Sequence, residues 1–175
     1  SVYFFWRGIN LNKNLDWILF GIFSALGFLS KYLFIYILLA LFIFFISNFK
    51  KYKKSLNKYF FSIVISLVIL TPHFFWLFEN NFITIFYGLT RSGVTEFNYI
   101  DHFKNPIIFL IKQFIILIPF FLMFYSIIKK FKFSINKKNK DIIFLLSINL
   151  IPIALILITS IITGAKIRTM WMTPF

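Results

Sequence analysis

Residues 72–106, PHFFWLFENNFITIFYGLTRSGVTEFNYIDHFKNP, form the only long stretch of the chain that is neither a lipid-length apolar run nor a lysine cluster. They hold three of the five acidic residues (Glu79, Glu96, Asp101), both histidines (His73, His102), Trp76, Arg91 and the pair Asn80-Asn81. Everything on either side reads as membrane helix. Chemistry on polar groups is therefore expected in this loop and in whatever lies level with it.

Composition supports that division. The chain is 60% hydrophobic and 14% charged, with mean hydropathy +0.86. A soluble domain is nearer half apolar and a quarter charged. Five acidic groups cannot solubilise a globule this apolar, so an integral membrane protein is expected. The net charge of +14 sits largely in two short clusters between apolar runs. Cytoplasmic membrane loops look like this, and no nucleic-acid partner is expected. The absence of cysteine excludes a disulfide framework and a thiolate metal site.

Upstream of the loop, Ser1–Trp6 reads as the end of a span, and residues 7–16 (RGINLNKNLD) as a polar turn in which Asn14 or Asp16 caps the next helix. Residues 17–48 are apolar but too long for one span of about 20 residues. They are interrupted by Gly27-Phe28-Leu29-Ser30-Lys31-Tyr32. A charge deep in hydrocarbon costs at least about 2.5 kcal/mol. The reading is two short helices, 17–29 and 33–47, with Lys31 at the turn between them; the plainer one is a single tilted helix with Lys31 reaching an interface. Residues 49–59 carry five lysines and no acid. A clean span over 60–76 ends near Pro72. Beyond the loop come spans over 107–128 and 142–163, separated by a second lysine-rich segment, and a last loop, GAKIRTMWMTPF, from Gly164. The expected fold is all-α, a polytopic transmembrane bundle of about five spans plus a truncated one, and one internal region of a longer protein.

The positive-inside rule sends loops 49–59 and 129–141 to the cytoplasm of a plasma (inner) membrane, and loops 78–106 and 164–175 to its outer side. Lys31 then shares the outer face with both external loops. Within the long loop, residues 81–89 are apolar, aromatic and too short to span, which suits an interfacial helix with Arg91 at the headgroups.

Lys31, Tyr32, Trp76, Arg91, Lys166, Arg168 and Trp171 converge on that face. Cations beside a lipid-facing cavity suit a phosphate, and aromatics with a polar edge suit a sugar. The plainer alternative is the aromatic belt and cationic helix anchors of any membrane protein. Glu79, Glu96 and Asp101 are the carboxylates there, available as a base or merely solvated. Neither histidine has a metal-ligand spacing, so no metal ligand is named and no cofactor is expected within this stretch, while the sequence leaves the use of a divalent metal open. A lone histidine near a span end is read as an interfacial hydrogen-bonder.

The order of these features resembles the integral-membrane glycosyltransferases related to protein O-mannosyltransferases and to the bacterial aminoarabinose transferase, in the branch using polyprenyl-phosphate sugars. Gly21 with Gly27-Phe28-Leu29-Ser30-Lys31-Tyr32 is similar to a Gly-rich motif ending in (Ser/Thr)-Lys-Tyr. Pro72-His73-Phe74-Phe75-Trp76-Leu77-Phe78-Glu79-Asn80 is similar to Pro-x-x-x-Trp-Asn-x-x-(His/Asn), with Leu77 where Asn is usual. The run from Phe82 to Arg91, then Phe109-Leu110-Ile111-Lys112-Gln113 with Pro119, and a late loop with Lys166 and Trp171 follow in the family's order. The resemblance implies a GT-C-type fold and a donor cavity for a lipid phosphate. It also implies transfer of a sugar to a glycan, lipid or protein acceptor. The family's catalytic aspartate lies in an earlier external loop, so no catalytic residue is named here. Rival readings are a transporter or flippase segment and a structural subunit.

Overall fold

The computed structural model describes residues 1–93, 98–128 and 139–167. Among them there are helices and turns and no strand. The chain divides into two compact units, Ser1–Tyr87 and the residues from Gly88 onward.

The first unit opens with α1 (Val2–Leu11) and α2 (Asn14–Ser30). Asn12 joins them in the left-handed conformation (φ 52°), its N–H donating to the Gly8 carbonyl at 2.9 Å. Asparagine tolerates this helix-ending geometry better than other non-glycine residues. Lys58 Nζ donates to the Asn12 carbonyl at 2.6 Å, and Ser55 Oγ to its side-chain oxygen at 3.2 Å. Neither Asn14 nor Asp16 caps α2, contrary to expectation: Lys13 holds the cap position without a side-chain bond. Asp16 is instead buried in the first turn, its Oδ1 3.3 Å from Arg7 Nε. A carboxylate near the positive end of a helix and beside a guanidinium can be taken out of water; one left alone could not.

The expected break at Lys31 is present. After α2 come a 3-10 turn (Tyr32–Phe34) and α3 (Ile35–Ser47). Lys31 is extended (φ −160°) and donates its N–H to the Gly27 carbonyl, which also accepts from Ser30 Oγ. The ring of Phe34 lies where a side chain on residue 27 would be, 2.6 Å from an ideal Cβ. The glycine of the motif therefore lets the chain turn back on itself.

A short α4 (Phe49–Tyr52) and a 3-10 turn at Lys53–Ser55 lead into α5 (Leu56–Glu79). Helices α2 and α5 pack on small residues: a Cβ on Gly21 would stand 2.6 Å from the Ser62 carbonyl. Ser66 Oγ donates across the contact to the Gly21 carbonyl at 2.7 Å. Such close approach replaces, inside a bilayer, the hydrophobic drive that lipid tails remove. Phe5, Trp17, Phe20, Phe45 and Tyr59 complete this core, with Phe45 stacked on Tyr59 at 4.9 Å.

Helix α5 does not end near Pro72 but runs through it to Glu79. Proline leaves the carbonyl four residues back without its partner. That carbonyl is Val68's, and membrane helices tolerate the lost bond; the neighbouring Leu67 carbonyl receives an extra bond from Thr71 Oγ1 at 2.8 Å. The helix then closes in a Schellman motif. Asn80 is the cap, Asn81 takes φ 49°, and Phe82 N–H reaches back to the Leu77 carbonyl at 2.9 Å. The short helix expected next is α6 (Ile83–Arg91), its residues exposed except for Thr84.

The second unit pairs α7 (Asp101–Ile128) with α8 (Lys140–Thr163). Pro106 lies inside α7, not ahead of it as the spacing suggests. Gly164 (φ 68°) ends α8, and its carbonyl accepts from Asn105 Nδ2 at 2.7 Å. His102 Nδ1 donates to the Ile161 carbonyl at 2.7 Å. Phe109, Phe144 and Ile156 are buried in this unit, while most of α7 is exposed apolar surface.

Among the described residues, three helices are long and apolar enough to cross a membrane: Phe49–Glu79, Asp101–Tyr125 and Lys140–Thr163. Two shorter apolar helices, Asn14–Ser30 and Tyr32–Ser47, accompany them. The chain is a helical, multi-pass membrane protein.

Candidate functional site

The turn after α2 sets the site. Extended backbone at Lys31 directs the next residue, Tyr32, toward α5 and α6. The Tyr32 hydroxyl lies 2.9 Å from His73 Nε2 and 3.0 Å from Thr84 Oγ1. His73 reaches it from α5, one residue past Pro72, and Thr84 from the first turn of α6. The His73 ring also stacks on Trp76, centroids 6.0 Å apart and planes 14° apart. Phe28 closes the other side of Tyr32 at 5.4 Å.

Two of the residues singled out from sequence, Tyr32 and Trp76, are therefore joined through His73 in the first unit, and a third, Lys31, precedes Tyr32 in the same turn. Lys31 is half-buried, and desolvation lowers its ammonium pKa from the ordinary lysine value. An ammonium partly stripped of water gains more from an arriving anion than a solvated one does. Trp76 is 42% exposed, so its ring is offered to a ligand or to lipid.

The other candidates are elsewhere. Arg91 is the exposed last residue of α6, and Glu79 the exposed last residue of α5. Asp101 is half-buried at the start of α7 in the second unit. Lys166 is exposed there, its backbone N–H donating to the Ser92 carbonyl at 2.8 Å. Glu96, Arg168 and Trp171 lie outside the described residues. Among the described residues there is no cluster of three or more histidine, cysteine or acidic side chains that could hold a metal.

The sequence reading missed two members. His73 was read only as an interfacial hydrogen-bonder, although the Pro-x-x-x-Trp motif begins beside it. Thr84 carries no sequence signal, being one of several hydroxyl residues in an apolar run. Its role depends on a contact 52 residues away.

The turn motif and the proline-tryptophan motif thus meet in space. Residues 1–76 match the family model of the dolichyl-phosphate-mannose-protein mannosyltransferases. The resemblance read from the sequence is borne out over that stretch, and it is to GT-C-type membrane glycosyltransferases. The mannosyltransferase match includes Lys31, Tyr32 and His73 and stops at Trp76, so Thr84 and α6 lie beyond it. No curated protein and no solved structure matches the chain.

Proposed function

We propose that this chain supplies part of the donor site of a membrane glycosyltransferase. The enzyme moves a sugar from a polyprenyl phosphate to a glycan, lipid or protein acceptor at the outer face of the plasma membrane. The observation that carries the reading is the linked set Lys31–Tyr32–His73–Trp76 inside the stretch matched by the mannosyltransferase family. In this reaction a base takes the proton of an acceptor hydroxyl, whose oxygen attacks the anomeric carbon as the bond to the phosphate oxygen breaks and its electron pair leaves with the lipid phosphate. Negative charge grows on the departing lipid phosphate. A fixed cation stabilises that charge more in the transition state than in the ground state.

Lys31 is the first candidate for that cation, because its turn is held by backbone bonds and by Tyr32. Arg91 and Arg168 are the further candidates. Trp76 suits the sugar ring or the first isoprene units. Glu79, Glu96 and Asp101 are the carboxylates available to orient an acceptor. The lysine-rich loops 49–59 and 129–141 support the assigned sidedness, with the Lys31 turn outside.

The test uses the complete gene product in membranes with radiolabelled polyprenyl-phosphate sugars. Protein-dependent loss of sugar from the lipid, abolished in Lys31→Ala, is the expected result. No loss with any donor from folded, inserted protein would overturn the transferase in favour of a transporter or structural role.

A further inference from the structure

The two residues that follow the Asn80 cap of α5 are both left-handed: Asn81 at φ 49° and Phe82 at φ 54°. Asn81 is accounted for by the helix cap. Phe82 is a bulky residue in a conformation that such side chains rarely adopt, and strained backbone of this kind gathers at clamps and switches. Immediately beyond it, α6 begins with Ile83, Ile85, Phe86 and Tyr87 between 41% and 61% exposed. Thr84, half-buried among them, is the residue that turns inward, to the hydroxyl of Tyr32.

That bond is insensitive to the histidine tautomer. A tyrosine hydroxyl has one proton to give and two lone pairs to receive. With Nε2 bare, Tyr32 donates to His73 and accepts from Thr84. With Nε2 protonated, His73 donates to Tyr32, which then donates to Thr84. Both contacts persist in either case, so the tie to α6 does not depend on the protonation of His73.

We propose that the start of α6 is a strap, hinged at Asn81-Phe82 and latched by Thr84 to the Lys31–Tyr32 turn, and that its opening admits a lipid-borne phosphate to Lys31. This rests on the donor-site reading above for the identity of the ligand; the hinge and latch rest on geometry alone. These 175 residues hold no cysteine; with any cysteine elsewhere in the complete protein replaced by serine, Phe86→Cys offers a single spin-label position on the strap.

In the complete protein reconstituted in vesicles, Thr84→Val removes the latch at nearly constant volume. Losing one net hydrogen bond raises the open population by about fivefold. Label mobility and the exchange rate of polyprenyl phosphate are expected to rise together by that factor. Thr84→Ser restores both, Tyr32→Phe reproduces the effect, and inorganic phosphate exchanges at the same rate in every variant. Unchanged mobility in Thr84→Val and Tyr32→Phe would overturn the strap. Raised mobility with unchanged lipid exchange would overturn the gate while leaving the donor site standing. No binding of polyprenyl phosphate by any variant would overturn the donor reading together with the gate, and mobility alone would then decide the strap. Faster exchange of inorganic phosphate as well would contradict a lipid-specific gate.

Discussion

His73 and His102 are the two histidines of an apolar chain, each on a long helix and each making a short hydrogen bond from its ring. Their partners differ. His102 donates to a backbone carbonyl of the last turn of α8, and its ring packs over Gly164. That carbonyl would otherwise be an orphan in or near lipid, so the bond completes a helix end. His73 stacks on a half-open tryptophan and bonds to the hydroxyl of Tyr32, the residue that follows the partly desolvated Lys31. No backbone group needs it. The His102–Ile161 bond is explained by the helix end it completes; the His73–Tyr32 bond completes no helix end and asks for a function.

Substitutions can separate these two roles. The largest effect is expected at Lys31: Lys31→Ala should lower turnover of a polyprenyl-phosphate sugar by about 10²–10³-fold, as for loss of one preorganised charge-stabilising group. Sugar release from the labelled donor measures it. Next comes His73→Ala, which frees Tyr32 and Trp76 to shift. Roughly 10- to 100-fold in turnover is expected for a small misplacement of a binding group. His73→Gln should recover part of it, since an amide keeps one bond to the hydroxyl.

His102→Ala should behave in the opposite way. Leaving the Ile161 carbonyl unpaired costs about 1–3 kcal/mol of stability, seen as earlier unfolding in detergent. Turnover per folded molecule should stay within about twofold, below the roughly tenfold that 1.4 kcal/mol in the barrier would produce. The smallest effect belongs to Gly164→Ala. A left-handed alanine is disfavoured by about 1–2 kcal/mol, and its Cβ would meet His102 Nε2 at 3.2 Å. A stability loss of this size without loss of turnover would tie Gly164 and His102 to one structural unit. If His102→Ala removed turnover while His73→Ala removed only stability, the contrast would be reversed and the site misplaced.

Much of this was legible in the sequence because bilayers punish exceptions. A lone lysine within a largely apolar stretch of 32 residues favours a turn over a single tilted helix, and α2 does stop one residue before it. The helix ends at the prolines were misjudged for a related reason. Proline breaks helices in water, but α5 runs seven residues past Pro72 because lipid offers the backbone nothing better than helix. Asp16 looked like a cap since acidic residues favour first turns. Its pairing with Arg7 depends on how α1 folds back on α2, which spacing alone does not show. The motif residues Lys31, Tyr32 and Trp76 were found because charge and aromatics are conspicuous among aliphatics. Thr84 was not, because a threonine in an apolar run carries no mark until the Tyr32 hydroxyl is placed beside it.

The central claim is that the Lys31–Tyr32–His73–Trp76 set handles a lipid phosphate while the His102 end of α8 only holds the fold. Loss of sugar from a radiolabelled polyprenyl-phosphate donor, measured side by side in wild type, Lys31→Ala and His102→Ala of the complete protein, tests it most directly. The account predicts turnover at least about a hundredfold lower in Lys31→Ala and near wild type in folded His102→Ala. Equal activity in Lys31→Ala and wild type would contradict it.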